Sequence, residues 1–207
     1  MNLIERAKNI ITTPKTEWLV IDNEIADPKS IITGYVIPLA TVAAIAAFIG
    51  YGLIGTNMLG IKVSGINWGL YKALTILVSA IVGVLLSAFV IDALAPTFKS
   101  EKNFNKSIQL AAFAYTPAWV GGILNVLPSL AFIGGLFGLY GLYLLYIGLP
   151  IMKKTPDEQK TPYFIVSLLV MIAVMVVAMA IVGAVFMNIF GLSTPTVDAS
   201  ELLKNFR

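Results

Sequence analysis

Residues 107–152 read SIQLAAFAYTPAWVGGILNVLPSLAFIGGLFGLYGLYLLYIGLPIM, 46 residues without one charged side chain. Drawn as a single α-helix, this run would be about 69 Å long at about 1.5 Å per residue, more than twice a hydrocarbon core of about 30 Å. It has to fold back, and Asn125-Val126-Leu127-Pro128-Ser129 supplies the turn. Pro128 has no amide hydrogen to donate, and Asn125 and Ser129 can cap the groups left open beside it. Two spans follow, near 107–126 and 130–152.

Outward from this run, the uncharged stretches 30–61, 73–91 and 161–197 each supply enough apolar length for a crossing. They place further spans near 31–55, 70–95 and 163–190. The expected fold class is an all-α membrane protein of five transmembrane helices with an N-terminal interfacial amphipathic helix. Its parts are a cytoplasmic segment (1–29), a transmembrane domain (30–192) and a short polar tail on the outer side (193–207).

Composition agrees. The chain is 58% apolar and 12% charged, against about 45–50% and about 25% in soluble domains. This excludes a soluble enzyme, a nucleic-acid-binding domain and a disulfide-stapled secreted module. Cysteine and histidine are both absent, which removes disulfides, thiolate nucleophiles and Cys/His metal or haem sites. No Walker, HExxH or GxSxG pattern occurs. No catalytic residue, cofactor or metal is expected.

Orientation follows from the basic residues of the connections. With the N-terminus inside, the inner segments hold Arg6, Lys8, Lys15, Lys29, Lys99, Lys102, Lys106, Lys153, Lys154 and Lys160. The outer side holds only Lys62, Lys72, Lys204 and Arg207. The expectation is N-terminus in, C-terminus out. No cleavable signal is expected, since the first 29 residues carry nine charges. Leu3, Ile4, Ala7, Ile10 and Ile11 recur at helical spacing, which suits either a helix on the inner membrane surface, anchored by Trp18, or one packed on the bundle.

Four features could carry chemistry inside the membrane. Asp92, near the inner end of the second span, opposes the helix dipole and needs a partner. It is either a cation or proton site or an interfacial carboxylate paired with Lys99, Lys102 or Lys106. Tyr115-Thr116-Pro117 interrupts the third span, where Pro117 frees the carbonyl of Phe113; this is either a binding break or a simple kink. Tyr140, Tyr143 and Tyr146 share one arc of the fourth span, and Tyr140 is expected to find a hydrogen-bond partner on the third. Gly134 and Gly138 form a GxxxG pair for helix packing or self-association.

The segments Pro14-Lys15 with Trp18, Asp92-Ala93-Leu94-Ala95-Pro96-Thr97-Phe98, Ala114-Tyr115-Thr116-Pro117-Ala118-Trp119 and Tyr140-Gly141-Leu142-Tyr143-Leu144-Leu145-Tyr146-Ile147-Gly148-Leu149-Pro150 together resemble the Yip family. These are small five-span proteins named for interaction with Ypt/Rab GTPases, and the resemblance is to their compact bacterial branch. It implies the same N-in, C-out topology and a bacterial inner (cytoplasmic) membrane setting. The family's Asp-Leu-Tyr-Gly-Pro motif has no counterpart in the first 30 residues, so Rab-type GTPase binding is not supported. Two functions are left open. One is a non-enzymatic scaffold whose partners are the lipid bilayer, a second copy or other membrane proteins, in which Asp92→Asn leaves fold and function largely intact. The other is a small cation or proton transporter or channel using Asp92 and the Tyr/Thr/Pro cluster.

Overall fold

The computed structural model describes residues 2–25, 27–58 and 61–192; the tail expected at 193–207 lies outside the described residues. The chain opens with two short helices, α1 (Leu3–Thr12) and α2 (Pro14–Asn23). The Asn2 side chain caps α1 by accepting from the amides of Ile4 and Glu5. Pro14 ends it, because the residue before a proline is driven out of the helical region; Thr13 sits at φ −132°, ψ 54°.

Helix α3 (Pro28–Ile31) and helix α4 (Ile37–Ala47) are joined and extended by π-helical turns at Ile32–Val36 and Phe48–Ile54. Together they make one rod, Pro28–Ile54. Pro38 withholds an amide hydrogen and crowds the carbonyl of Gly34, so the turn before it widens. A two-strand ribbon, β1 (Thr56–Met58) against β2 (Ile61–Val63), leads into α5 (Ile66–Leu94). Next come α6 (Phe104–Ala114), α7 (Thr116–Gly121), α8 (Ala131–Lys153) and α9 (Asp157–Ile189).

Four stretches are long and apolar enough to cross a membrane: Pro28–Ile54, Ile66–Phe98, Pro128–Lys153 and Asp157–Ile189. The segment expected as the third span, interrupted at Tyr115-Thr116-Pro117, is helical but in pieces. Helix α6 stops at Ala114, Tyr115 relaxes to φ −78°, ψ −8°, and α7 restarts at Thr116. Pro117 has no amide to offer, so the amides of Ala118 and Trp119 both turn to the Tyr115 carbonyl. A 3-10 turn, Gly122–Val126, then tightens the chain, and the Asn125 side-chain amide donates to the Gly122 carbonyl. Helix α9 begins at Asp157 rather than near Tyr163, with Asp157 and Glu158 favourably placed in its first turn.

The N-terminal helices pack on the bundle. Ile10, Trp18 and Ile21 are fully enclosed, and α2 lies along α8. Trp18 is therefore not an interfacial anchor. It fills a notch at Gly148, where a Cβ atom would come within 2.6 Å of the indole, and it meets Phe113 edge-on at 6.4 Å. Burying an indole against apolar neighbours outweighs the pull of the headgroup layer, provided a glycine leaves room.

Only one half of the GxxxG pair packs helices. A Cβ on Gly134 would sit 2.6 Å from the Gly121 carbonyl oxygen, whereas one on Gly138 would meet nothing within 4 Å. Gly134→Ala is therefore expected to lose about 1–3 kcal/mol by overpacking. Gly138→Ala should be neutral or slightly stabilising through helix propensity. Unfolding titrations of the two variants in mixed micelles check this, and equal losses would contradict it.

Candidate functional site

Asp92 lies two residues from the end of α5, where the helix opposes a negative charge. Compensation comes from Lys153, the last residue of α8, whose Nζ is 2.9 Å from Asp92 Oδ1. Lys153 is fully buried. Its ammonium has three hydrogens and three acceptors: Asp92 Oδ1, the Asn103 carbonyl at 3.0 Å and Ser107 Oγ at 2.8 Å. Ser107 also donates to Asp92 Oδ1, at 3.3 Å. Lys99, Lys102 and Lys106 do not pair with Asp92. Lys106 instead reaches the carbonyls of Asp22 and Glu24 at the end of α2.

The backbone explains this choice. After the 3-10 turn Ala95–Phe98, Lys99 adopts φ +53° and ends the helix, as Lys154 does at φ +50° after α8. The Glu101 amide donates to the Lys153 carbonyl, and Ser100 Oγ donates to Thr155 Oγ1. The two loops are thus tied together, with Lys153 turned inward under them.

The tyrosines form a separate set. Thr116 is fully buried, and its hydroxyl meets the Tyr35 hydroxyl at 2.7 Å. Tyr115, one residue earlier, points the other way and shares a hydrogen bond with Ser87 at 2.9 Å. Tyr140 finds its partner not on the third span but on α1, donating to the Ile11 carbonyl at 2.8 Å. The last carbonyls of a helix have no partner within it, so this one was open. Tyr143 is exposed, its ring 5.5 Å from that of Tyr140. Close to Tyr35, the buried Arg6 pairs with Glu17 and Glu24 and lies 5.6 Å over the Phe113 ring.

A cavity of about 210 Å³ opens between α5, α6, α8 and α9, lined by Ser87, Ile91, Tyr115, Gly138, Leu145 and Met171 among others. Its walls are apolar apart from the Ser87–Tyr115 pair, and Asp92 does not line it. The structure therefore brings Tyr115, Ser87 and Gly138 together while keeping Asp92, Thr116 and Tyr140 in three other settings. Three participants escape sequence reasoning: Lys153, which reads as an ordinary inner-loop cation, Arg6 and Tyr35. Pro150 lies inside α8, and its carbonyl accepts the amides of Lys154 and Thr155 that close the helix just after Lys153.

Long apolar helices, with their few charges neutralised in pairs or held at one end, define a polytopic helical membrane protein. Residues 8–191 match the Yip1 domain. The chain belongs to the Yip family. No curated protein and no solved structure matches it.

Proposed function

We propose that the chain is a non-enzymatic membrane scaffold, acting by association with a second copy or with other membrane proteins. The observation that supports this most is the pairing of Asp92. Its Oδ1 is held by a fully buried lysine, so the pair is poorly suited to pass a bare cation or proton through the bundle. The hydroxyls of Tyr35, Tyr115 and Tyr140 are each bonded within the protein and form no continuous polar file among the described residues.

Five crossings in a bacterial inner membrane, with N-terminus in and C-terminus out, belong to the same proposal. The first turn of α6, which carries Lys106, and the turn at Lys154 share one end of the bundle with Asp22 of α2. That arrangement fits an even number of crossings between each of these segments. The segment 104–126 would be the crossing made in pieces, shielded by α5 and α8, which pack against it.

Proteoliposomes containing the full chain are expected to show no proton, sodium or potassium flux above empty vesicles under imposed gradients. Cross-linking of bilayer-embedded protein through α8 and α9 should report association. Specific flux would overturn the scaffold and restore the transporter reading.

A further inference from the structure

Both donors that reach Asp92, Lys153 Nζ and Ser107 Oγ, fall on Oδ1. Lys153 has spent all three of its hydrogens, so it cannot also serve Oδ2. A carboxylate offers about four lone-pair sites, and among the described residues nothing bonds the second oxygen. The Asp92 side chain is nine-tenths buried, at 9% exposure, and what remains open faces a groove of about 310 Å³ lined by Phe89, Asp92, Ala93, Lys102 and Phe104. That volume is at the small end of ligand sites, which run from about 300 to 1,000 Å³.

The other groove residues complete the pattern. Lys102 is exposed and forms no ion pair among the described residues. Phe89 is 64% exposed and Phe104 41% exposed. Phe89 lies about one turn inside the helix end, where acyl chains begin. One groove thus presents a carboxylate oxygen, a separate ammonium and two aromatic rings at the membrane boundary. We propose that it binds a zwitterionic aminophospholipid, with the lipid's primary ammonium on Asp92 Oδ2, its phosphate on Lys102 and its chains along Phe89 and Phe104.

A purely anionic headgroup would gain Lys102 but face the Asp92 oxygen. A quaternary ammonium would match the charge but bring no N–H to an oxygen that lacks a donor. The predicted order is therefore primary amine first, falling as methyl groups replace the hydrogens.

The experiment is native mass spectrometry of the full chain, delipidated in detergent and offered equimolar phosphatidylethanolamine, its N-methyl and N,N-dimethyl forms, phosphatidylcholine and phosphatidylglycerol. Phosphatidylethanolamine should be retained roughly tenfold over phosphatidylcholine, the worth of one charge-assisted hydrogen bond, with the methylated forms between. Asp92→Asn should bring that ratio towards one. Because this variant disturbs Lys153, Lys102→Ala is the second test: it is a surface change, and it should weaken all the phosphate-bearing lipids by about threefold without altering their order. Equal retention of the amine series, preference for phosphatidylglycerol, or no effect of Lys102→Ala would each overturn the proposal.

Discussion

Lys153→Met is expected to destabilise the protein by about 3–5 kcal/mol, read as a shift in unfolding midpoint during titration with a denaturing detergent. The substitution keeps the length of the side chain but removes the charge that faces Asp92, leaving a carboxylate nine-tenths buried with only Ser107 for company. Breaking one side of a buried pair costs several kcal/mol, because the remaining charge keeps its desolvation penalty. Asp92→Asn should lose a similar amount from the opposite side, where the sequence alone leads one to expect little change. The double variant Asp92→Asn, Lys153→Met has no buried charge left and should regain most of the loss. A single-variant loss below about 1 kcal/mol would show that water or lipid already compensates the pair.

Trp18→Ala should cost about 3–5 kcal/mol, the range for emptying a large aromatic site, and the damage should be local. The indole is fully enclosed between Gly148, Leu110 and Phe113, so removing it takes away the main wedge holding α2 against α8. Hydrogen exchange should accelerate in α1 and α2 while α5 and α8 stay protected. Trp18→Phe should be milder, since the buried indole nitrogen has no partner to lose. Leu19→Ala, at a position 55% exposed, is the control and should leave exchange unchanged. Uniform exchange across all helices in Trp18→Ala would mean that the N-terminal pair and the bundle unfold as one unit.

The membrane class and most helices were legible in the sequence because absence of charge over 19–46 residues is a property of composition, independent of tertiary contacts. The break at Tyr115-Thr116-Pro117 was legible for a similar reason, since proline acts on its own helix. Partner identity was not legible. Sequence proximity favoured Lys99, Lys102 and Lys106 for Asp92, but the left-handed turns at Lys99 and Lys154 swing one loop under another and deliver Lys153 from 61 positions away. The same holds for Trp18: an aromatic residue near a helix end suits a membrane interface equally well, and only the notch at Gly148 decides against it. Tyr140 advertised its need for a partner but not that a terminal carbonyl of α1 would meet it.

The hydrogen bond from Tyr140 to Ile11 joins residues 129 positions apart, and this separation sets an order of events during synthesis. At about 5–20 residues per second, roughly 6–26 s pass between the emergence of α1 and that of its docking site on α8. Throughout that interval Ile10, Trp18 and Ile21 have no bundle to enter, and the adjacent lipid surface is the one apolar refuge available to an amphipathic pair. The N-terminal helices are thus expected to lie first on the bilayer and to dock only when α8, the third of the four long apolar stretches, has been inserted. Docking of α1 and α2 is therefore a late step of assembly, with α9 still to pack against α5 and α8.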